Sequence, residues 1–222
     1  MDSSLIRAGG PNHPEDLGKP SVDIPIVDRI LWERWRAEAY KQFLNDIEIG
    51  YVDPDLVDFI LMIFNRKNHV FTISSCSGRI VLVDVPYPWM RENSTIVFKK
   101  HSVVSLDEIL RVISLPTLHR LWLIVSGPIF HFVADSLPAA QLLLNVARSV
   151  GFKHSGIISI RRDGIVVELI SGTWTSFLLK DRDTLVVSND GLRNIIEIAN
   201  EILVQGKSRL QNLKNALERI DL

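Results

Sequence analysis

The stretch from His69 to Asp84 decides the fold class, and it reads His-Val-Phe-Thr-Ile-Ser-Ser-Cys-Ser-Gly-Arg-Ile-Val-Leu-Val-Asp. Two runs rich in β-branched and aromatic residues, His69–Ser74 and Arg79–Asp84, flank the small polar segment Ser75–Gly78. Such runs favour β-strands, and small residues with a glycine favour a close connection between them. The stretch therefore predicts strand, tight turn, strand.

Helical patterns lie on the N-terminal side of this stretch. Apolar residues recur every four positions and predict a first amphipathic helix; they are Val27, Leu31, Trp35, Ala39 and Phe43. A second helix is predicted to begin at Asp53-Pro54, because an acceptor side chain followed by proline suits the first turn of a helix.

The C-terminal side mixes strands and helices. Leu118–Val125, Ile129–Ala134, Ile157–Ile160, Ile165–Ile170 and Trp174–Leu179 favour strands, and Asp163-Gly164 favours a hairpin. Ser105 and Ser136 are predicted to cap helices, and a long last helix is expected from Ser188, with a break at Gly206. The fold class expected is α+β, with a mixed or largely antiparallel sheet and flanking helices, and not a Rossmann methyltransferase-type fold.

Length and composition limit the domain organisation. The chain has 222 residues, and Pro/Gly-rich residues 1–22 are expected to form a flexible N-terminal arm. Residues 23–222 are expected to form one α+β catalytic domain, either undivided or built from two intertwined halves. The single cysteine fits a reducing cytosol. The net charge of -1 gives no indication of a nucleic-acid partner, so any such binding must use a local basic patch. No run of residues is long and apolar enough to span a membrane.

The segment Thr72–Arg79 is the richest in chemistry. Its hydroxyls and backbone N–H groups suit a carboxylate, phosphate or ribose, and Arg79 suits an anion. The plainer interpretation is a Ser/Gly turn with an exposed arginine. Cys76 is either a nucleophile or a small buried apolar residue.

Other candidates are scattered along the chain. His131, within Ile129-Phe-His-Phe-Val133, faces either a cleft or solvent. Asp53 is first a helix cap and second a catalytic carboxylate. His101 and the charged residues of the last helix are expected to be solvated. Ser155-Gly156 repeats the Ser77-Gly78 pattern of Ser-Gly before a strand, which is a weak sign of internal duplication.

The order of these segments resembles the tRNA wybutosine-synthesizing protein 3 family. The resemblance rests on Asp53-Pro-Asp55, Thr72-Ile-Ser-Ser-Cys-Ser-Gly-Arg-Ile80, Phe130-His-Phe132, Ala139-Ala-Gln-Leu-Leu143 and Gly151-Phe-Lys-His-Ser-Gly-Ile157. It runs from about residue 27 to the end. Thr72 departs from the serine that is usual in the family, and Ile96 stands where the family often has tryptophan.

The resemblance implies a methyltransferase that uses S-adenosylmethionine. Its expected reaction is N4-methylation of the 4-demethylwyosine-type base at position 37, in the anticodon loop of phenylalanine tRNA. We expect a cytoplasmic protein that binds neither a metal ion nor a membrane. We expect Ser74, Ser75, Cys76, Ser77, Gly78 and Arg79 to contact the cofactor or a tRNA anion, with Ser155 and Gly156 completing the wall. His131 and Asp53 are expected to orient the base or take its proton.

Two other functions remain open at this point. One is a hydrolase that uses Cys76 or Ser75 with His131. The other is a non-catalytic tRNA-binding protein of the same modification pathway.

Overall fold

Helices and strands alternate irregularly along the chain in the computed structural model, which describes residues 27–90 and 92–222. The helices are α1 (Arg29–Glu48), α2 (Val57–Arg66), α3 (Leu106–Ile113), α4 (Leu137–Ser149) and α5 (Asn189–Glu218), with a 3-10 turn at Pro54–Leu56. The strands are β1 (Val70–Cys76), β2 (Arg79–Asp84), β3 (Thr95–Lys100), β4 (Arg120–Ser126), β5 (Ile129–Ala134), β6 (Gly156–Arg161), β7 (Gly164–Ile170), β8 (Trp174–Asp181) and β9 (Thr184–Leu185). The predicted N-terminal arm lies outside the described residues.

The strands form two sheets. One has the order β1-β5-β7-β6 and the other the order β3-β2-β4-β8-β9, and each neighbouring pair is antiparallel. This arrangement confirms the α+β class with an antiparallel sheet. The predicted hairpin at Asp163-Gly164 is also confirmed, as β6 and β7 pair across it.

The prediction of a simple strand–turn–strand unit at residues 69–84 was wrong in one respect. β1 and β2 do not pair with each other, because the chain passes from the first sheet to the second at Ser77-Gly78. Gly78 has a φ of +97°, and a Cβ there would lie 3.0 Å from the carbonyl oxygen of Ser126. Only glycine fits this close passage without strain.

Two more connections cross between the sheets beside this one. The chain returns to the first sheet at Gly127-Pro128 and leaves it again at Ser171–Thr173. We call the three connections the seam. The Ser155-Gly156 repeat lies elsewhere, before the outer strand β6, so the repeated Ser-Gly does not mark equivalent positions in the two sheets.

Helix α5 packs across the seam and joins the two halves of the core. Leu192 and Leu203 belong to the core of the second sheet, whereas Leu213 and Leu217 belong to the core of the first. The predicted break at Gly206 was wrong, because α5 continues through it. Gly206 instead lets the helix approach, since a Cβ there would lie 3.0 Å from Thr173 Oγ1 and 3.2 Å from Gly127 Cα.

Helix α1 buries most of the stripe that spacing predicted, because Phe43 is in the core and Val27, Trp35 and Ala39 pack against it. Leu31 is the exception, because it is exposed while its neighbour Trp32 is only 1% exposed. Residues four apart are offset by about 40° around a helix, so a strict spacing of four winds away from one face. Among the described residues, no helix is long and apolar enough to cross a membrane.

Candidate active site

A cleft of about 720 Å³ lies between α1, the start of α2 and strand β1. We call it the edge cleft, because β1 is the outer strand of its sheet. Its lining residues are Trp35, Glu38, Ala39, Gln42, Phe43, Asp46, Tyr51, Val52, Asp53, Ile60, Thr72, Ile73, Ser74, Ser75, Cys76, Arg79 and Ile129. The volume falls within the range of about 300–1,000 Å³ that is usual for small-molecule sites.

Five consecutive residues of β1, Thr72 to Cys76, line this cleft. Side chains of a strand alternate between faces, so five in a row line a cleft only where it runs along the strand edge. An outer strand leaves alternate N–H and C=O groups unpaired by the sheet. The register of β1 also shifts between Thr72 and Ser74. The cleft thus offers backbone donors and acceptors beside the hydroxyls of Ser74 and Ser75.

Arg79 lines the cleft at the point where β2 begins. Within residues 27–90 and 92–222, no carboxylate pairs with its guanidinium. An unpaired guanidinium with rigid planar donors suits a carboxylate or a phosphate. The geometry therefore leaves Arg79 able to bind an anion.

Asp53 is tied to the seam by a buried serine. The hydroxyl of Ser77, which is 0% exposed, donates to Asp53 Oδ2. Asp53 Oδ1 accepts from the N–H of Asp55, and this is the predicted helix cap. The Asp53 side chain is only 8% exposed, yet it still lines the cleft.

His101 also holds Asp53, although the sequence suggested a solvated side chain. Its Nδ1 lies 3.0 Å from Asp53 Oδ2 and 3.0 Å from the carbonyl oxygen of Gly78. Both atoms are acceptors, so Nδ1 must carry a hydrogen for either contact to be favourable. His101 therefore fixes the carboxylate and the crossing backbone at once.

Lys207 and Asp55 extend this network to α5. Lys207 Nζ donates to the hydroxyl of Ser77 and lies 2.5 Å from Asp55 Oδ2. The expectation of a solvated face on α5 was therefore wrong at Lys207. No sequence signal short of the three-dimensional contact could have found it, since 130 positions separate Lys207 from Ser77.

His131 lies beside the cleft without lining it. It is the ladder partner of Ser74, and its Nε2 lies 3.1 Å from Glu168 Oε1. Both side chains are 27% exposed. The imidazole is thus held by a carboxylate on the strand next to it.

Ser155 and Gly156 lie away from the edge cleft. The Ser155 hydroxyl is buried, donates to the carbonyl of Phe152 and accepts from the N–H of Ile170. Gly156 begins β6, which is three strands from β1. The structure gives Ser155 a role in joining α4 to the sheet.

Cys76 and Ser75 are not bonded to His131 in the part of the chain that the structure describes. Cys76 pairs with Ile129 and Ser75 with Phe130, whereas His131 is bonded to Glu168. An activated nucleophile needs its base within hydrogen-bond reach. This geometry disfavours the hydrolase alternative.

The edge cleft is acidic overall. Glu38, Asp46 and Asp53 line it, against the single guanidinium of Arg79. Asp46 accepts a hydrogen bond of 2.6 Å from Gln42. Clefts of one sign attract ligands of the other, so the edge cleft favours a cation that also carries an anionic group. Among the described residues, no group of three or more His, Cys, Asp or Glu could hold a metal ion.

The two antiparallel sheets are not a Rossmann fold, and comparison with known proteins shows which class of protein has this fold. The family model described as Methyltransferase TYW3 matches residues 34–219. The chain belongs to this family, and the resemblance inferred from the sequence is confirmed.

Curated relatives and solved structures share most of the chain. A Saccharolobus solfataricus protein is 41% identical over 85% of this chain and 90% of its own length. An Aeropyrum pernix protein is 36% identical over 80% of this chain and 94% of its own length. Both are named tRNA(Phe) 7-((3-amino-3-carboxypropyl)-4-demethylwyosine(37)-N(4))-methyltransferase. The structure of the PH1069 protein from Pyrococcus horikoshii is 33% identical, with a TM-score of 0.81 over 87% of this chain and 98% of its own.

Proposed function

We propose that the protein transfers a methyl group from S-adenosylmethionine to N4 of the 4-demethylwyosine-type base at position 37 of phenylalanine tRNA, in the cytoplasm. Family membership and the names of relatives at 41% and 36% identity support the reaction. The observation that carries the site is that the segment Thr72–Cys76, Arg79 and Asp53 line one cleft.

The residues of the edge cleft fit this methyl donor by their chemistry. The donor carries a sulfonium and an ammonium, which suit Asp46 and Asp53, and a carboxylate, which suits Arg79. Its adenosine needs an aromatic or apolar surface and hydroxyl partners. Trp35 and Tyr51 supply the aromatic surface, and the hydroxyls of Ser74 and Ser75 supply the hydrogen-bond partners.

When bound, S-adenosylmethionine supplies an electrophilic methyl group on a positively charged sulfur. The protein must then hold the two reactants at attack distance and keep water away. No covalent enzyme intermediate is needed, so Cys76 acts as a wall of the cleft. Ser77 and His101 hold Asp53 in place while it faces the cleft, and Lys207 in turn donates to Ser77.

The base nitrogen must lose a proton as it is methylated. Of the three carboxylates that line the cleft, Asp53 is the one held by both Ser77 and His101, so we assign it as the proton acceptor. The His131–Glu168 pair is the second candidate, because it adjoins Ser74. In either case the side chain takes the proton from N4 and passes it to solvent.

Docking of the anticodon loop fits a basic groove that continues from the edge cleft. This groove, of about 590 Å³, shares Trp35 and Glu38 with the cleft and is also lined by Arg34, Arg161, Arg162 and Asp163, so it has one more basic than acidic side chain. Lysines 207 and 214 of α5 are instead bonded to Asp55. Arg34 pairs with Glu38 at 3.5 Å and Arg161 with Asp163 at 2.9 Å, whereas Arg162 has no carboxylate partner among the described residues. We therefore assign a phosphate contact first to Arg162. Exposed ion pairs contribute little, so phosphates can also displace the partners of Arg34 and Arg161, and tRNA binding should weaken steeply with salt.

Methyl transfer to tRNA(Phe) that carries the demethylated base tests the proposal. Labelled S-adenosylmethionine should transfer its methyl group, and mass spectrometry of the digested tRNA should place it on N4. Calorimetry should show binding of S-adenosylmethionine. Binding of tRNA with no binding of the methyl donor would contradict the proposal and favour a non-catalytic tRNA-binding protein.

A further inference from the structure

Two aromatic side chains stack on each other at the surface, far from the edge cleft. Tyr87 and Trp89 lie on the segment that joins β2 to β3, with ring centres 5.0 Å apart and planes 14° apart. Trp89 is 75% exposed and Tyr87 is 44% exposed. Large aromatic rings are normally buried, so an ordered pair left open to solvent offers a flat surface for a ligand.

Arg120 holds the pair in place. Its guanidinium lies 5.0 Å from the Tyr87 ring centre and donates a hydrogen bond of 3.1 Å to the carbonyl of Pro86. The Tyr87 hydroxyl, and after it Asp181, raise the pKa of Arg120. The stack is therefore organised before any ligand arrives.

A basic recess adjoins the stack. A cavity of about 280 Å³ is lined by Tyr87 and also by His119, Arg120, Asp181 and Arg182. Asp181 is paired with Arg120 at 3.5 Å. Arg182 is exposed and has no ion-pair partner within residues 27–90 and 92–222. A free guanidinium beside an open aromatic face combines the two contacts that single-stranded nucleic acid needs, namely stacking and charge.

The position suits a second contact with the substrate of the edge cleft. Strand β2 runs from Arg79, at the cleft, to Asp84, so this surface lies about 20 Å away along the sheet. An RNA loop presents several unpaired bases over such a distance. A site here would hold the tRNA without touching the reacting base.

We propose that Tyr87 and Trp89 stack an unpaired base of the tRNA substrate while Arg182 contacts a neighbouring phosphate. This inference rests on the proposed function, because it takes the same tRNA as the ligand. It adds a docking point outside the edge cleft. An apolar protein partner is the competing occupant, and the variants below separate the two.

The test is equilibrium binding of an unmodified tRNA(Phe) transcript at low salt. Trp89→Ala should weaken binding by about tenfold, because stacking on an aromatic side chain contributes that much per base. Trp89→Phe keeps a ring and should stay within threefold of the wild type, as expected for stacking. Trp89→Leu keeps apolar area but no ring, and should bind as weakly as Trp89→Ala. Arg182→Ala should lower the slope of log affinity against log salt by about one.

Trp174→Ala is the matched control, because Trp174 is also a surface tryptophan, 60% exposed. It should bind tRNA as the wild type does. Equal affinity of Trp89→Ala and wild type would overturn the inference and leave an apolar protein partner as the occupant. Restoration of tRNA affinity by Trp89→Leu would also overturn it, because apolar area without a ring cannot stack a base. Methyl transfer is measured on the same preparations. If the wild type transfers the methyl group and Trp89→Ala binds tRNA with unchanged affinity, only this inference is overturned. If the wild type neither binds tRNA nor transfers the methyl group, the proposed function is overturned as well.

Discussion

Arg79 is the one guanidinium that lines the edge cleft, and no carboxylate of the described residues forms an ion pair with it. Its neighbours on β2 are held by pairing with β3 and β4, so its side chain is not needed to hold the strand. Arg79 is thus available for a ligand while the fold stays independent of its charge.

Replacement of Arg79 by alanine should abolish methyl transfer and leave the protein folded. The free energy of unfolding should change by no more than about 0.5 kcal/mol, as for most surface substitutions. Arg79→Lys should recover part of the activity, because it restores the charge without the two-pronged donor. Thermal melts and transfer rates measured side by side check both statements; full activity in Arg79→Ala would remove the residue from the site.

Asp53 and His131 are two candidates for one proton, and their surroundings differ. Asp53 faces the cleft with Ser77 and His101 behind it, whereas His131 is bonded to Glu168. Asp53→Asn keeps the shape and should lower kcat by about 100-fold or more, because it removes a general base. It should also remove the acidic limb of the pH–rate profile.

His131→Gln is the companion measurement. It keeps a polar group opposite Glu168 and should change kcat by less than tenfold if Asp53 takes the proton. A large loss of kcat in His131→Gln, with a normal pH profile in Asp53→Asn, would exchange the two roles.

At the scale of the element, α5 depends on a close approach at Gly206. Thr173 Oγ1, Pro128 Cδ and Gly127 Cα would lie 3.0, 3.1 and 3.2 Å from an added Cβ, and the last two are rigid. Gly206→Ala should destabilise the protein by about 1–3 kcal/mol, despite the better helix propensity of alanine. Gln205→Ala, at the exposed neighbouring position, is the control and should be neutral or slightly stabilising in chemical denaturation. If Gly206→Ala were more stable than the wild type, the connections of the seam would have to shift without cost to make room for the added methyl group.

Helix α3 begins with an acid-sensitive cap. The hydrogen bond from Lys100, and then the N–H of Ser105, lower the pKa of Glu108. A lowered pKa means that the folded state favours the ionised form, so this stabilisation is present at neutral pH. It is lost as the pH falls through the pKa of the folded state, which lies below the ordinary value of about 4.3.

Glu108→Gln should therefore lower Tm at pH 7 and have little effect once the wild-type carboxyl is protonated. Glutamine can keep the cap hydrogen bond, so the difference reports the ion pair with Lys100. Melting curves from pH 7 down to acid, with Glu201→Gln as an exposed control, measure it. A Tm difference that stays constant with pH would show that the charge does not matter.

For the whole molecule, the features that depend on neighbouring residues could be predicted from the sequence, whereas those that depend on contacts between distant residues could not. The caps at Ser105 and Ser136, the start of the last helix at Ser188 and the hairpin at Asp163-Gly164 were correctly predicted, because neighbouring residues specify them. The passage of the chain between sheets at Ser77-Gly78 was not predicted. Strand pairing is set by contacts between distant residues, and a Ser-Gly segment suits a hairpin and a crossing equally well.

The same division applies to the site. The segment Thr72–Cys76, Arg79 and Asp53 were named from the sequence, and the structure brings them to one cleft. Their supporting residues were missed, since His101 and Lys207 reach Asp53 and Ser77 from elements that only the fold brings near. Their sequence surroundings are ordinary polar segments. The assignment of roles within the cleft stays a prediction.

The most direct test is a crystal structure with S-adenosylhomocysteine bound. We expect the ligand to lie along the open edge of β1, with its carboxylate on the guanidinium of Arg79 and its sulfur near Asp53. Electron density for the ligand elsewhere, with the edge cleft empty at saturating ligand, would contradict the placement of the active site.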